Sequence, residues 1–89
     1  MANFMLVRHE VEDFNAWKHD YEAHRRERVK AGVSEKYILQ SDSNPNEVVV
    51  LFEADNLNRA RAFAQSADLR ESMEHAGVKD KPDIFYLHD

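Results

Sequence analysis

The segment 48-VVVLFEA-54 predicts a β-strand that is apolar on both of its faces, because five strand-forming apolar residues follow one another. Residues 3–11 (NFMLVRHEV) and 84–88 (IFYLH) have a similar character. Successive side chains of a strand point to opposite faces of a sheet, so a sheet built from these strands must be covered on both sides. Soluble monomers rarely leave an apolar surface of that size exposed. One sheet of this chain therefore needs two covering layers.

A helix is predicted between the first and second strands. Asp13 is a suitable N-cap, and four residues after it recur at spacings of three, four and three, which places them on one helical face. They are Phe14, Trp17, Tyr21 and His24. Gly32 is expected to end this helix, because glycine adopts the left-handed C′ conformation most easily. The only tryptophan of the chain is therefore expected to face the sheet.

The second half of the chain predicts the same kinds of element. Residues 35–41 form a predicted strand, and turn-forming residues separate it from the strand at 48–54. Asp55 or Asn56 is the predicted N-cap of a second helix, whose apolar stripe slips near Ser66, where we expect a kink or a short break. The inward residues of that helix are Leu57, Ala60, Phe63 or Ala64, Leu69, Met73 and Ala76, and Gly77 ends it.

The order of elements is β-α-β-β-α-β, which is the ferredoxin-like arrangement of the α+β class. Right-handed crossovers place both helices on one face of a four-stranded antiparallel sheet. We expect a single domain over residues 1–89, because so short a chain leaves no room for a second. The other face of the sheet then has no cover within the chain. A second copy packed face to face about a two-fold axis is the simplest cover, so the sequence predicts a homodimer.

The composition argues against several classes of function. The chain has no cysteine, so disulfides and thiolate metal sites are excluded, and a cytoplasmic location is compatible with this. We recognise no signal peptide and no apolar stretch long enough to cross a membrane. The net charge of −5 argues against nucleic-acid binding, which needs a basic surface. Both glycines are predicted helix terminators, so no phosphate-binding loop and no nucleotide cofactor are expected.

Two groups of charged or metal-ligating residues need an interpretation. A basic cluster late in the first helix consists of Arg25, Arg26, Arg28 and Lys30. We interpret it as a solvated helix end that complements the helix dipole, with anion recognition as the alternative. The five histidines are scattered, and His19 and His24 are five residues apart, whereas two ligands on one helical face need a spacing of four. No metal site is therefore predicted.

Several segments of the chain together resemble a known superfamily. They are a strand with His9, then V-x-D-F-x-x-W-K, P-N-E-V-V-V-L-F-E, R-A-F-A-x-S-x-x-L-R-E-x-M, A-G-V and a final strand, between Met5 and Leu87. The pattern resembles the dimeric α/β-barrel superfamily, and within it small bacterial proteins near the antibiotic-biosynthesis monooxygenase domains, some of them labelled cyclases. The resemblance implies a barrel closed across a dimer, with a ligand pocket between sheet and helices or inside the barrel.

The resemblance leaves two functional hypotheses open. One is a cofactor-independent monooxygenase or cyclase that acts on a small aromatic or polyketide-like substrate. The other is a non-catalytic binding or structural homodimer of unknown role. The haem-degrading branch of the superfamily uses a histidine on the second helix as its iron ligand. Here the only histidine on that helix is His75, at the predicted helix end beside Gly77, so haem and other cofactors are not expected.

The candidate site residues follow from the first strand. His9 alternates with Met5 and Val7, and we favour it over Arg8 as the inward residue, because imidazole is cheaper to bury and titrates near neutrality. We predict His9 and Tyr86 as catalytic residues, with Tyr86 orienting the imidazole. The predicted substrate-binding residues are Trp17, Tyr37, Phe52 and Glu53. The alternatives are a structural His9 within the dimer core, Trp17 as core, Tyr37 as edge-strand packing with Leu39, and Glu53 as a rim carboxylate paired with an arginine.

Overall fold

The computed structural model describes residues 2–66, 77–78 and 82–89. Its elements are β1 (Asn3–Glu10), α1 (Phe14–Ala23), α2 (Arg25–Lys30), β2 (Val33–Gln40), β3 (Glu47–Ala54), α3 (Leu57–Ala64) and β4 (Asp83–His88). The four predicted strands are confirmed, each within two residues of its expected bounds. In the described part of the chain, no helix is long and apolar enough to cross a membrane.

The strand β1 lies inside the sheet, where both of its neighbours are antiparallel to it. The strand order is β2-β3-β1-β4, and β2 is also antiparallel to β3. In the register of β1, His9 lies opposite Val48, and Val7 lies opposite Val50 on one side and Ile84 on the other. A four-stranded antiparallel sheet combined with helices in this order confirms the predicted α+β, ferredoxin-like fold.

One face of the sheet packs against the helices and forms the core. Every second residue of β3 is buried, as expected for a strand with one covered face. On β1 the buried residues alternate in the same way, and they include His9. Trp17 of α1 and Ala60 of α3 complete the core from the helical side. The largest fully buried side chains are Met5, Val11, Val33, Val48 and Val50.

The opposite face of the sheet, here called the helix-free face, is apolar and open to solvent in the single chain. Its most exposed apolar side chains are Tyr37, Leu39, Phe85 and Leu87, at 61, 52, 50 and 43%. Val49 and Leu51 are half-buried opposite Leu39 and Tyr37. The sequence prediction that this sheet has two apolar faces is therefore correct, and the chain itself covers one of them.

Ion pairs border the helix-free face at both ends. Arg8 contacts the Glu47 carboxylate at 2.7 Å and the Asp83 carboxylate at 3.0 Å. At the other end Lys36 contacts Glu53 at 2.9 Å. All of these side chains are partly exposed, so in the single chain each pair contributes little to stability.

The predicted first helix is divided at His24 into α1 and α2. The Tyr21 carbonyl oxygen accepts a hydrogen bond from the His24 N–H at 3.2 Å and another from Arg28 Nη1 at 2.7 Å. A side chain that bonds a helical carbonyl disturbs the regular ladder of backbone hydrogen bonds and is a known cause of kinks. The spacing of Phe14, Trp17 and Tyr21 could not show this, because it reports only which face is apolar.

The predicted helix boundaries at Asp13, Asn56 and Gly32 are confirmed. Asp13 and Asn56 are the N-caps of α1 and α3, and their side chains accept hydrogen bonds from backbone N–H groups. Gly32 has φ +76, and a Cβ there would lie 2.9 Å from Asp55 Oδ2, so both backbone and space favour glycine. The helix α3 ends at Ala64, close to the break predicted near Ser66. The later inward residues Leu69, Met73 and Ala76 lie outside the described residues.

Candidate functional site

His9 lies near the end of β1 on the helix-covered face of the sheet. It is only 6% exposed, with Met5 and Val7 on the same face of the strand. The indole of Trp17 packs against it, with ring centroids 5.4 Å apart and ring planes at 67°, so the two rings meet edge to face. The strand supplies the imidazole and the first helix supplies its aromatic neighbour.

The imidazole of His9 has no hydrogen-bond partner among the described residues. Both Nδ1 and Nε2 are buried and unpaired there. Burial disfavours the charged form and lowers the pKa of His9 from 6.5 to about 4, so the ring is neutral at pH 7. A neutral imidazole offers one donor and one acceptor, and a buried polar group left without a partner costs about 1–3 kcal/mol. His9 therefore has an unused capacity to bind a polar group.

A cavity of about 70 Å³ adjoins His9 between the sheet and the helices. The sheet side of its wall is apolar and includes Met5, Val7, Val50, Phe52 and Ile84. The polar or charged residues of the lining, among the described residues, are His9, Asp20, His24 and Arg28. An apolar cavity with a few convergent polar groups is the usual form of a small-molecule site.

Aromatic rings form one wall of this cavity. Trp17 and Tyr21 are stacked, with centroids 4.8 Å apart and planes at 25°. Phe52, which also lines the cavity, lies 6.4 Å from Tyr21, and Phe14, outside the lining, lies 5.8 Å from Trp17. The rings of α1 thus reach the sheet, and they present a flat apolar surface next to His9.

Arg28 is a cavity residue whose burial the sequence analysis missed. Only 7% exposed, it places its guanidinium carbon 3.6 Å from the centre of the Tyr21 ring and donates from Nη1 to the Tyr21 carbonyl oxygen at 2.7 Å. The interpretation of the whole basic cluster as a solvated helix end is therefore wrong for Arg28. A signal was present, because residue 28 continues the stripe of Trp17, Tyr21 and His24 by a further step of four.

The environment of Arg28 and Tyr21 shifts the pKa of both groups. Burial lowers the pKa of Arg28 from its usual value, and burial, the largest cause, raises the pKa of Tyr21. The Tyr21 hydroxyl donates a hydrogen bond to Glu35 Oε1 at 2.8 Å. Tyr21 therefore stays protonated, and Arg28 remains a cation over its ring.

The structure contradicts the predicted pairing of His9 with Tyr86. Tyr86 lies opposite Met5, four residues before His9 on β1, a separation of about 13 Å along the strand. Its ring lies 4.9 Å from the guanidinium carbon of Arg61 instead. The expectation that the start of β4 approaches His9 is correct for Ile84, which lines the cavity, but the register of β4 carries Tyr86 away.

The other four predicted site residues fall on two different faces of the sheet. Trp17 and Phe52 line the cavity with His9. Tyr37 and Glu53 lie on the helix-free face and do not line this cavity, so a substrate-binding role for them stays a prediction. Glu53 pairs with Lys36 at 2.9 Å rather than with an arginine. Alternation along a strand separates Glu53 from its neighbour Phe52.

Histidine and carboxylate side chains are the possible metal ligands of this chain, which has no cysteine. Across residues 2–66, 77–78 and 82–89 there is no group of three metal-ligating side chains that could hold an ion. His24 Nδ1 forms a hydrogen bond with the Asp20 carbonyl oxygen at 2.8 Å, and His88 is exposed near the end of the chain. His75 lies outside the described residues.

Comparison with solved structures shows the fold of this chain in several proteins. A Bordetella bronchiseptica protein, named provisionally as an antibiotic biosynthesis monooxygenase, is 14% identical with a TM-score of 0.78, covering 100% of this chain and 98% of its own. A conserved protein from Methanosarcina mazei Go1 is 15% identical with a TM-score of 0.72, covering 98% and 91%. A Caulobacter crescentus protein, also named provisionally as such a monooxygenase, is 13% identical with a TM-score of 0.69, covering 97% and 87%.

These similarities define the class of the fold. The chain has the ferredoxin-like α+β fold of antibiotic biosynthesis monooxygenase-like proteins, as the sequence resemblance predicted. No family model matches the sequence, and no curated protein matches it. At such low sequence identity the similarity establishes the fold and leaves the chemistry to the site itself.

Proposed function

We propose that this protein binds a small aromatic or polyketide-like molecule in the cavity beside His9, and that His9 exchanges a hydrogen bond or a proton with it. The observation that supports this most directly is the imidazole itself, buried in an apolar cavity with neither nitrogen paired among the described residues. A hydroxyl of the ligand would satisfy the acceptor nitrogen, and the stacked rings of Trp17 and Tyr21 would contact its planar body.

The chemistry proposed for this site is that of a cofactor-independent monooxygenase or cyclase. Neutral His9 can accept a proton from an acidic phenol or enol, and the anion formed beside it would raise the pKa of the imidazole. In an oxygenase the activated ring CH₂ becomes C=O, and dioxygen supplies the carbonyl oxygen and one molecule of water. In a cyclase a carbon of the same anion attacks a carbonyl carbon of its own molecule, the π bond of that carbonyl breaks, and the alkoxide oxygen takes the proton back from His9. The names of two solved structures with this fold favour the first reaction.

The size of the cavity favours a second candidate, a non-catalytic binding or structural homodimer. The volume of about 70 Å³ is less than half of the roughly 150 Å³ known to admit benzene in an engineered apolar cavity. A ring system therefore enters only if cavity side chains move. The binding function needs the same polar contact to His9 and no chemical step.

We also propose that the helix-free face packs against a second copy of the chain. The exposed side chains of Tyr37, Leu39, Phe85 and Leu87 support this, because they lie on the helix-free face of the two edge strands β2 and β4, and half-buried Val49 and Leu51 of β3 adjoin those of β2. The ion pairs of Arg8 and Glu53 at its two ends would then form the polar rim of the interface.

Binding can be tested with 2-naphthol and with 2-methoxynaphthalene, which lacks the O–H donor. The single indole N–H signal of Trp17 reports the titration by NMR, because Trp17 is the only tryptophan and lines the cavity. We expect 2-naphthol to bind about fivefold tighter or more, since a hydrogen bond contributes about 1 kcal/mol. His9→Phe should abolish that preference.

Catalysis and binding are separated by oxygen uptake with polycyclic phenols. If the protein is an oxygenase, the wild type consumes oxygen and His9→Phe does not. If it is a binding protein, it prefers 2-naphthol to 2-methoxynaphthalene but consumes no oxygen. If neither naphthalene shifts the Trp17 signal at millimolar concentration, the proposed binding site is wrong.

A further inference from the structure

Arg28 is a buried cation without a carboxylate partner among the described residues. The ion pairs found there involve Arg8, Lys36 and Arg59, and none involves Arg28. Glu35 is close enough to influence its pKa, but one oxygen of that carboxylate accepts the Tyr21 hydroxyl. Buried charges are normally paired, because leaving an ion uncompensated in a low dielectric is costly.

Most of the hydrogen-bonding capacity of Arg28 is also unused. A guanidinium has five N–H donors in a planar fork, and within the described residues Arg28 donates one hydrogen bond, to the Tyr21 carbonyl oxygen. Its position over the Tyr21 ring holds the guanidinium in place. A fixed planar fork with free donors suits the two oxygen atoms of a carboxylate.

Arg28 and His9 line the same cavity, and the contacting rings of Trp17 and Tyr21 lie between them. The imidazole meets Trp17 at 5.4 Å, Trp17 stacks on Tyr21 at 4.8 Å, and Arg28 lies 3.6 Å from the Tyr21 ring centre. The cavity thus carries an uncharged polar group at one end of this row of rings and a cation at the other. Among the described residues of the lining, Asp20 is the acidic one.

We propose that the ligand of this cavity is a planar molecule with an anionic group, a carboxylate, held by Arg28, and that Arg28 determines this specificity. The planar body lies along Trp17 and Tyr21, and a hydroxyl or carbonyl group meets His9. This inference rests on the proposed function, because it uses the same cavity, and it adds the charge of the ligand and the residue that selects it.

The test compares three probes of the same shape and different charge: 2-naphthoate, neutral 2-naphthamide and the 2-naphthylmethylammonium ion. Dissociation constants come from NMR titration of the Trp17 indole signal at low salt. We expect the wild-type protein to bind 2-naphthoate about tenfold tighter than 2-naphthamide, since a hydrogen bond to a charged group contributes more than a neutral one. Arg28→Met should reduce this ratio to below about threefold.

Arg26→Met is the matched control. It removes the same charge from the same helix at an exposed position outside the cavity lining, so its ratio should equal that of wild type. The ratio is measured within each variant and does not depend on how much of that variant is folded. If Arg28→Met does not fold, Arg28→Lys keeps the charge and loses the fork, and its ratio should fall about threefold.

The inference is overturned if the wild-type protein binds 2-naphthoate and 2-naphthamide equally well, or if it binds the ammonium ion most tightly. It is also overturned if Arg28→Met keeps the wild-type ratio of the two affinities. Where Arg28→Met does not fold, an unchanged ratio in Arg28→Lys has the same meaning. In each of these cases the proposed function survives if the wild-type protein still binds 2-naphthol more tightly than 2-methoxynaphthalene and His9→Phe does not. If the wild-type protein shows no such preference, the proposed function is refuted, and the inference about Arg28 fails with it.

Discussion

The His9 imidazole meets the Trp17 indole edge to face, 5.4 Å between ring centroids, and this contact ties β1 to α1. Such an arrangement contributes about 0.5–1.5 kcal/mol beyond the burial of area. It leaves both nitrogen atoms of the imidazole without a partner among the described residues. The ring of His9 therefore stabilises the folded protein through its contact with Trp17, whereas its unpaired nitrogen atoms destabilise it. These two contributions can be measured separately.

His9→Phe should leave the free energy of unfolding unchanged within about 1 kcal/mol, or increase it. The substitution keeps an aromatic ring against Trp17, removes two unpaired polar atoms and leaves no described partner group behind. The adjoining cavity of about 70 Å³ can accept the larger ring. Urea denaturation of both proteins measures the difference.

A loss of 1–3 kcal/mol in His9→Phe would instead mean that the imidazole satisfies a partner in the folded protein. That result, with unchanged affinity for 2-naphthol, would remove His9 from the ligand site. Val7→Phe, at the neighbouring buried position of β1, controls for the effect of a larger ring on that face of the sheet.

Stability should rise with pH between about 4 and 6.5 because of His9. Burial lowers its pKa to about 4 in the folded state, while the unfolded chain has the ordinary value of 6.5. In this window the unfolded state binds more protons than the folded state, so the free energy of unfolding increases with pH. The contribution of His9 is complete above pH 6.5 and is lost as the pH falls towards 4. The whole effect is about 3 kcal/mol.

The difference in unfolding free energy between wild type and His9→Phe, measured by urea denaturation at pH 4, 5, 6 and 7, isolates this contribution from the other titrating groups. The wild-type protein should gain stability relative to the variant across the series. A flat difference would mean that the imidazole keeps an ordinary pKa and is in contact with water.

The sequence predicted the fold well, because each step rested on local chemistry that the structure preserves. Three features can be read from neighbouring residues alone: strands that are apolar on both faces, the N-caps Asp13 and Asn56, and the helix-ending glycine at position 32. The buried position of His9 also followed from alternation along one strand. These features need no knowledge of strand register.

The candidate site was harder to predict, because it depends on register and on helix geometry. Tyr86 was placed beside His9 from strand order, but the pairing of β4 puts it opposite Met5. Arg28 was read from its charge, although its position in the helical stripe was the better guide to its burial. A long flexible cation can bury its stem and keep its charge over an aromatic ring, so hydropathy alone misplaces it.

Tyr86→Phe should leave the affinity for 2-naphthol unchanged within about twofold. Its hydroxyl belongs to a residue four positions from His9 along β1, and its ring contacts Arg61 rather than the cavity group. Phe52→Ala is the matched comparison, because Phe52 lines the cavity and its loss should change the affinity. A large effect of Tyr86→Phe, measured by the same NMR titration, would restore Tyr86 as the orienting partner of His9.

If the helix-free face packs against a second copy as proposed, Leu39→Arg should give a monomer where the wild type is a dimer, while the fold persists. Leu39 is 52% exposed on the helix-free face, so the single chain tolerates the charge, whereas a face-to-face interface would bury it without a partner. Val29→Arg is the control, since Val29 is 63% exposed on α2 and is not part of the helix-free face. Arginine at Val50 would not serve, because that residue is 1% exposed under the helices and its replacement should unfold the chain.

Sedimentation velocity at micromolar concentration gives the mass of each protein, and circular dichroism checks its fold. A wild-type monomer, or a Leu39→Arg protein that remains a dimer, would mean that the helix-free face is covered in another way.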